Sequence, residues 1–372
     1  MHICVDTRGA KLYSGTGIGT YTARLMENII SIDLSNRYTF FWPEGGYRFL
    51  MNRSNIDITL FGEKNKRFWD EVYLPVQVMS IGSDVFHLPQ NGLGLPTSKY
   101  CSYVVTVHDL IPYTMPETCG KSYLDRFLEQ MPYILEAADR IITVSEYSKQ
   151  DIIRFFKTPA DKIKVTHLAA DSRFKLMNKD AAWSVLKEKY SYDNKYILYI
   201  GGFSPRKNVE GLLDAYKRIC GELPEKYDLV MLGASKDNHY ELNKRICDLG
   251  LEDRVVLTGY VPYEHLPYFY NCADLFVYPS FYEGFGLPPL EAMTCGTPVI
   301  TSNVTSIPEI VGDGAVTIDP YDNELLSETM YNVLTDAEKK NKLIENALRR
   351  AYNFSWKKTA IETIKVYEEL KR

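Results

Sequence analysis

Short apolar runs that stop at a glycine, a serine or a charged turn recur along this chain, and a helix-like stretch follows nearly every one. Residues 1–5 (MHICV) stop at Asp6, 103–107 (YVVTV) at His108-Asp109, 140–144 (RIITV) at Ser145, 195–200 (KYILYI) at Gly201, and 227–232 (YDLVML) at Gly233-Ala234. Runs that are apolar throughout, without alternation, suit strands covered on both faces, which means parallel strands flanked by helices. The pattern predicts an α/β protein. It runs to about residue 168, pauses over 171–174 (DSRF) and restarts at 195, which divides the 372 residues into domains 1–173 and 174–354.

Composition narrows the function. A net charge of −5 argues against a nucleic-acid partner held through a broad basic face. Seven cysteines are scattered with no C-x-x-C spacing, and the six histidines form no cluster with them. Reduced, mostly buried thiols in a reducing compartment are expected, and a metal site is not. The opening MHICVDTRGA enters a strand at once, and no stretch of about 20 apolar residues follows. Neither a signal peptide nor a membrane span is expected, and the expected location is cytoplasmic.

Residues 278–298 (YPSFYEGFGLPPLEAMTCGTP) carry the densest chemistry. They read as a strand end, a glycine-rich loop and a helix beginning at Pro288 or Pro289, since proline suits the first helical position. Gly284 and Gly286 let the backbone approach a ligand, and the helix start offers N–H groups and partial positive charge to a phosphate. Glu283 in the loop and Glu291 in the helix are separated by seven residues; a carboxylate in the helix can hold a pair of ribose hydroxyls. The competing reading is a plain strand–turn–helix unit with solvated glutamates.

Other loops add candidates. In SGTGIGTY the glycines Gly15, Gly17 and Gly19 form either a tight turn, an approach to an anionic ligand, or a dinucleotide loop with Glu44 as its ribose acid. The last of these would make the chain an NAD-dependent oxidoreductase. His108 and Asp109 follow a strand directly, where ligands of open α/β sheets sit. After Gly201-Gly202, Arg206 and Lys207 place two cations at a helix start, a natural diphosphate clamp. The backbone of 258–262 (TGYVP), including Val261, is suited to framing a nucleobase. The basic, aromatic KNKRFW of 64–69 reads either as a membrane contact or as the start of a helix that buries Phe68, Val72, Leu74 and Val78. Ala360, Ile361, Ile364, Tyr367 and Leu370 lie at helical spacing near the end, a face that needs a surface to pack on.

Taken in order, GTGIG (15–19), VHDLIP (107–112), ADRIITVSEYSK (138–149), GGFSPRKN (201–208) and EGFGLPPLE (283–291) resemble the retaining glycosyltransferases of family 4, whose fold is GT-B. The resemblance covers nearly the whole chain. It implies two Rossmann-like, doubly wound domains facing a cleft, with a last helix (355–372) crossing back to the first, acceptor-binding domain. It also implies that Arg206 and Lys207 bind the donor diphosphate, with Gly202 beside them, and that Glu291 binds the ribose. Glu283, with Phe285, Gly286 and Leu287, would hold the transferred sugar, His108 would stand near the reacting sugar, and Gly17 near phosphates and acceptor. No metal and no further cofactor is implied. The pattern is most like mannosyl- and rhamnosyltransferases of bacterial surface polysaccharide assembly, which points to GDP-mannose, with UDP-glucose and dTDP-rhamnose as alternatives. The implied acceptor is a growing, lipid-linked saccharide at the inner membrane face.

Overall fold

The computed structural model describes residues 1–43, 53–61, 68–233 and 239–371. Glu44, residues 64–67 of the KNKRFW cluster and Ala234 lie outside the described residues. The chain forms two compact units, Met1–Ala169 together with the segment from Ser355, and Ala170–Phe354.

The first unit is built on seven strands: β1 (His2–Asp6), β2 (Arg37–Pro43), β3 (Ile56–Phe61), β4 (Val85–Leu88), β5 (Ser102–Val107), β6 (Arg140–Thr143) and β7 (Ile163–Val165). All pair in parallel, in the order β3-β2-β1-β4-β5-β6-β7. Every residue of β4 is buried, and so are the last five of β5, which is why these segments read as unbroken apolar runs. The order reverses between β1 and β4, so the loops leaving their carboxyl ends open a crevice there.

The helix Trp356–Glu368 packs on the helix Gly17–Ile32 of this unit. Its buried side chains are Trp356, Thr359, Ala360, Thr363, Val366 and Tyr367. The apolar face expected from sequence is therefore rotated: Ile361 is exposed, and two threonines take the inner positions. Both satisfy their hydroxyls locally, Thr359 on the carbonyl of His167 at 2.5 Å and Thr363 on that of Thr359 at 2.8 Å. Tyr367 reaches the fully buried His87, its hydroxyl 2.7 Å from Nδ1, while His87 Nε2 lies 2.8 Å from Thr106 Oγ1.

A second face is also rotated. Leu74 and Val78 are buried as expected, but Phe68 and Val72 are about half exposed. At about 100° per residue, Phe68 and Val72 fall on a different face from Leu74 and Val78, so a single helical face cannot bury all four; the segment is a π turn over Trp69–Tyr73 followed by the helix Leu74–Ile81. Phe68, Val72, Val76 and Met79 form the outer stripe that results. The thiols differ from expectation too: of the seven, only Cys4, Cys272 and Cys295 are buried.

The second unit contains β8 (Tyr196–Ile200), β9 (Asp228–Leu232), β10 (Val255–Gly259), β11 (Leu275–Tyr278), β12 (Val299–Ser302) and β13 (Val316–Ile318). These are again parallel, in the order β10-β9-β8-β11-β12-β13, with the reversal between β8 and β11. Residues 171–174 belong here rather than to a free linker, because the Phe174 ring meets Tyr263 and Tyr270 edge-on at 5.4 and 5.6 Å.

Candidate active site

The reversal between β8 and β11 sets two loops side by side at the carboxyl edge of the second sheet. The loop after β8 makes one tight turn over Pro205–Lys207 and ends at Asn208, whose backbone is left-handed (φ 54°). The Asn208 amide nitrogen donates to the carbonyl of Pro320 at 2.6 Å, which fixes the turn from below. The loop after β11 is joined to it by the Phe281 N–H, which donates to the Arg206 carbonyl at 2.9 Å.

These anchors bring three charges together. Arg206 Nη1 donates to Glu283 Oε1 at 2.8 Å and to the carbonyl of Tyr282 at 2.6 Å. Lys207 Nζ donates to the same Glu283 oxygen at 2.7 Å and to the hydroxyl of Tyr278, which itself donates to Glu283 at 3.0 Å. Both cations are largely withdrawn from solvent, with side chains 16% and 12% exposed. Burial alone would raise the Glu283 carboxyl, but the charges of Arg206 and Lys207 win and hold it at about 2. One carboxylate thus faces two cations, all three largely withdrawn from solvent, where their interaction is screened less than in water.

Backbone geometry supports the carboxylate. The Glu283 N–H donates to Thr305 Oγ1 at 3.2 Å, and the Ser306 hydroxyl bridges the carbonyls of Glu283 and Phe285 at 2.9 and 3.1 Å. Phe285 is buried and Leu287 partly so. Gly286 caps the next helix with φ 103°, and a Cβ there would stand 2.5 Å from Ile307 Cδ1, so only glycine fits without displacement.

The helix is Leu287–Thr294 and starts one residue earlier than expected. This changes its electrostatics. Pro288 and Pro289 fill the second and third positions and have no N–H, so Leu287 supplies the first turn's only amide donor before Leu290. The helix start is a poorer phosphate site than the sequence suggested.

Glu291 sits in the same helix but in different surroundings. It is 6% exposed, and its two oxygens face two tyrosine hydroxyls, Tyr270 at 3.1 Å and, at a longer 3.5 Å, Tyr263. Burial raises its carboxyl to about 8; the hydroxyl of Tyr270 works against that rise, and the neighbouring Asp171 adds to it. The two glutamates of the motif are therefore pushed in opposite directions. Val261, just after β10, is buried, while the Gly202 carbonyl accepts from the Tyr199 hydroxyl at 2.6 Å and a Cβ on Gly202 would touch nothing within 4 Å.

In the first unit, His108 and Asp109 follow β5. The His108 ring donates from Nε2 to the carbonyl of Pro89 at 2.8 Å, which fixes the tautomer with its lone pair on Nδ1. Burial lowers its pKa to about 4, against the pull of that carbonyl. Asn91, with φ 56° and 2% exposure, accepts the His108 N–H at 2.8 Å. Asp109 Oδ1 accepts the Ile111 N–H at 3.1 Å and so shapes the turn after the histidine. Gly17 is the exposed first residue of its helix; the restricted glycine is Gly19, where a Cβ would stand 2.1 Å from the Tyr13 carbonyl oxygen.

Tyr270, Tyr263, Tyr278, Thr305, Ser306 and Asn91 were not among the residues singled out from sequence. The Asn91-Gly92 pair and the polar run 301–306 (TSNVTS) are the sequence signals that could have marked some of them. The tyrosines are indistinguishable from core residues in the sequence. Among the described residues, no three His, Cys, Asp or Glu side chains gather as metal ligands, and no helix is long and apolar enough to cross a membrane.

Known proteins resemble this chain in sequence and in fold. The sequence profile "Glycosyltransferase Family 4" matches residues 17–174, and "Glycosyl transferases group 1" matches residues 186–350. The chain is 40% identical over 270 residues to O-antigen chain mannosyltransferase B of Escherichia coli, covering 72% of this chain and 70% of that one. Sucrose-phosphate synthase from Thermosynechococcus elongatus superposes with a TM-score of 0.76 at 20% identity, covering 100% of this chain and 99% of that one. HepE of Anabaena, solved with UDP and glucose, superposes with a TM-score of 0.75 at 19% identity and 99% coverage of both. Gly17 and Gly19 fall within the family match. The chain has the GT-B fold and belongs to glycosyltransferase family 4.

Proposed function

We propose that this enzyme is a retaining mannosyltransferase that moves a hexose from GDP-mannose to a saccharide acceptor in the assembly of a cell-surface polysaccharide. The observation that carries the reading is the meeting of Arg206, Lys207 and Glu283 where the second sheet reverses. The donor preference rests on the likeness to a mannosyltransferase.

Breaking a sugar–diphosphate bond builds negative charge on the departing phosphate and positive charge on the anomeric carbon. Arg206 and Lys207, fixed by their contacts before any ligand arrives, stabilise the departing diphosphate without reorganising. Glu283, kept ionised, accepts hydroxyls of the transferred sugar, and Phe285, Gly286 and Leu287 form the adjoining wall. Glu291 takes the ribose hydroxyls, Gly202 and Gly17 admit the phosphates, and Val261 lies against the base. His108 contributes a neutral imidazole to the reacting sugar, with Asp109 shaping its turn. The acceptor attacks from the side the diphosphate leaves, and the phosphate takes its proton; no cofactor or metal enters the scheme.

We place the enzyme in the cytoplasm, acting on a lipid-linked acceptor at the inner membrane face. The exposed stripe of Phe68, Val72, Val76 and Met79 supports a peripheral contact there. The test is a panel of nucleotide sugars screened by thermal shift and then by release of nucleoside diphosphate. Stabilisation and turnover with GDP-mannose are expected; binding without any release would make the chain a sugar-nucleotide binding protein.

A further inference from the structure

Glu291 is held in an unusual way for a carboxyl that is to meet a ligand. Both of its oxygens face phenol hydroxyls, Tyr270 at 3.1 Å and Tyr263 at 3.5 Å. Neither phenol is free to turn away. Tyr270 is fully buried on the helix Leu266–Cys272, its ring meeting Phe276 at 5.3 Å and Phe174 at 5.6 Å. Tyr263 is edged by Phe174 at 5.4 Å and covered on its face by the Arg173 guanidinium at 5.1 Å, which in turn pairs with the buried Asp171 at 3.3 Å. Two rings wedged by a third therefore aim two hydroxyls at one carboxyl.

We propose that Tyr270, seconded by Tyr263, positions Glu291 so that the enzyme accepts ribonucleoside diphosphate sugars and rejects their 2′-deoxy counterparts. The proposal rests on Glu291 being the ribose ligand and adds what that ligand selects. A carboxyl whose orientation is preset presents its remaining lone pairs to two adjacent hydroxyls at once. A sugar lacking the 2′-hydroxyl makes one hydrogen bond fewer to this preset carboxyl, and sites built to bond a hydroxyl discriminate against the analogue that lacks it. This selects the class of donor: GDP- and UDP-sugars fit, and dTDP-sugars, whose pentose is deoxyribose, do not. Tyr270 touches no substrate atom in this scheme and acts only through Glu291.

The experiment is competitive binding of GDP and 2′-deoxy-GDP to the full chain, followed by calorimetry, with the Tyr270→Phe variant alongside. The parent is expected to prefer GDP by at least about tenfold. In Tyr270→Phe, which keeps the ring and its packing, the preference should shrink to under about threefold through weaker GDP binding, with 2′-deoxy-GDP unchanged. A purely structural role for Tyr270 would weaken both ligands alike, and that result overturns the proposal. Should Tyr270→Phe not fold, Tyr263→Phe is read in the same way for a smaller narrowing. Equal affinity of the parent for the two ligands also overturns it, while leaving the glycosyltransferase reading intact; failure of the parent to bind either ligand removes both.

Discussion

Lys207 and Glu283 stand 76 positions apart in the chain, yet Lys207 Nζ lies 2.7 Å from Glu283 Oε1. Each belongs to the loop leaving one of the two strands, β8 and β11, between which the second sheet reverses its order. Their contact is thus a consequence of topology. A doubly wound sheet brings two loops together at that reversal, and here one loop brings cations and the other an acid.

The acid side of the pH profile follows from Glu283. Its folded-state value, about 2, lies below the ordinary glutamate value of 4.5. Its contribution to stability is therefore complete above pH 4.5 and is lost as pH falls from there toward 2. Glu283→Gln is expected to be less stable than the parent at pH 7 by a few kcal/mol, about 1.4 kcal/mol for each tenfold change in proton affinity. Urea titrations should show that difference shrinking as pH falls below 4.5.

Glu291 has the opposite sign. Its folded-state value, about 8, lies above 4.5, so its contribution favours the fold below pH 4.5 and is lost as pH rises through 8. Glu291→Gln has no charge to bury, and its stability relative to the parent should grow by on the order of a few kcal/mol between pH 5 and pH 9. A gain independent of pH would show that the carboxyl is not held neutral in the fold.

At Gly286 a side chain meets both a positive φ and Ile307. Gly286→Ala should cost about 1–3 kcal/mol in denaturant unfolding and weaken donor binding with it, because this residue sets where the Glu291 helix begins.

How far the chain could be read in advance varies from element to element. The buried central strands were visible because they are apolar along their whole length; the edge strand β3, with Asp57 and Leu60 exposed, was not. Arg206, Lys207 and Glu283 were visible because charge beside glycines at a strand end is what binding an anionic ligand requires. Placing Phe68 and Val72 on the buried face with Leu74 and Val78 overlooked their spacing: each stands six positions before its partner, which puts the two pairs on different sides of a helix. Nor was the inner role of Thr359 and Thr363 visible; their hydroxyls are satisfied by the distant carbonyl of His167 and by a carbonyl one helical turn back, respectively. Tyr270 was hidden for a different reason: a buried tyrosine that aims a carboxyl looks in sequence like any other core aromatic. The two prolines were seen, but as a helix start alone; that they also strip donors from its first turn emerged once Leu287 was found to open it.

His108 is neutral throughout the ordinary working range, since its value lies near 4. His108→Ala should retain GDP affinity within about twofold while turnover falls by roughly a hundredfold, in line with the loss of a positioned imidazole. Unchanged turnover would take His108 out of the site.

The central claim is that Arg206 and Lys207 hold the donor diphosphate at the reversal of the second sheet. Calorimetric titration of GDP into the parent and into Lys207→Ala tests it most directly. Losing one charge-assisted contact to phosphate should weaken binding by about 10- to 100-fold, with some thermal stability lost in the absence of nucleotide because Glu283 keeps Arg206 but loses Lys207. An unchanged dissociation constant would contradict the account.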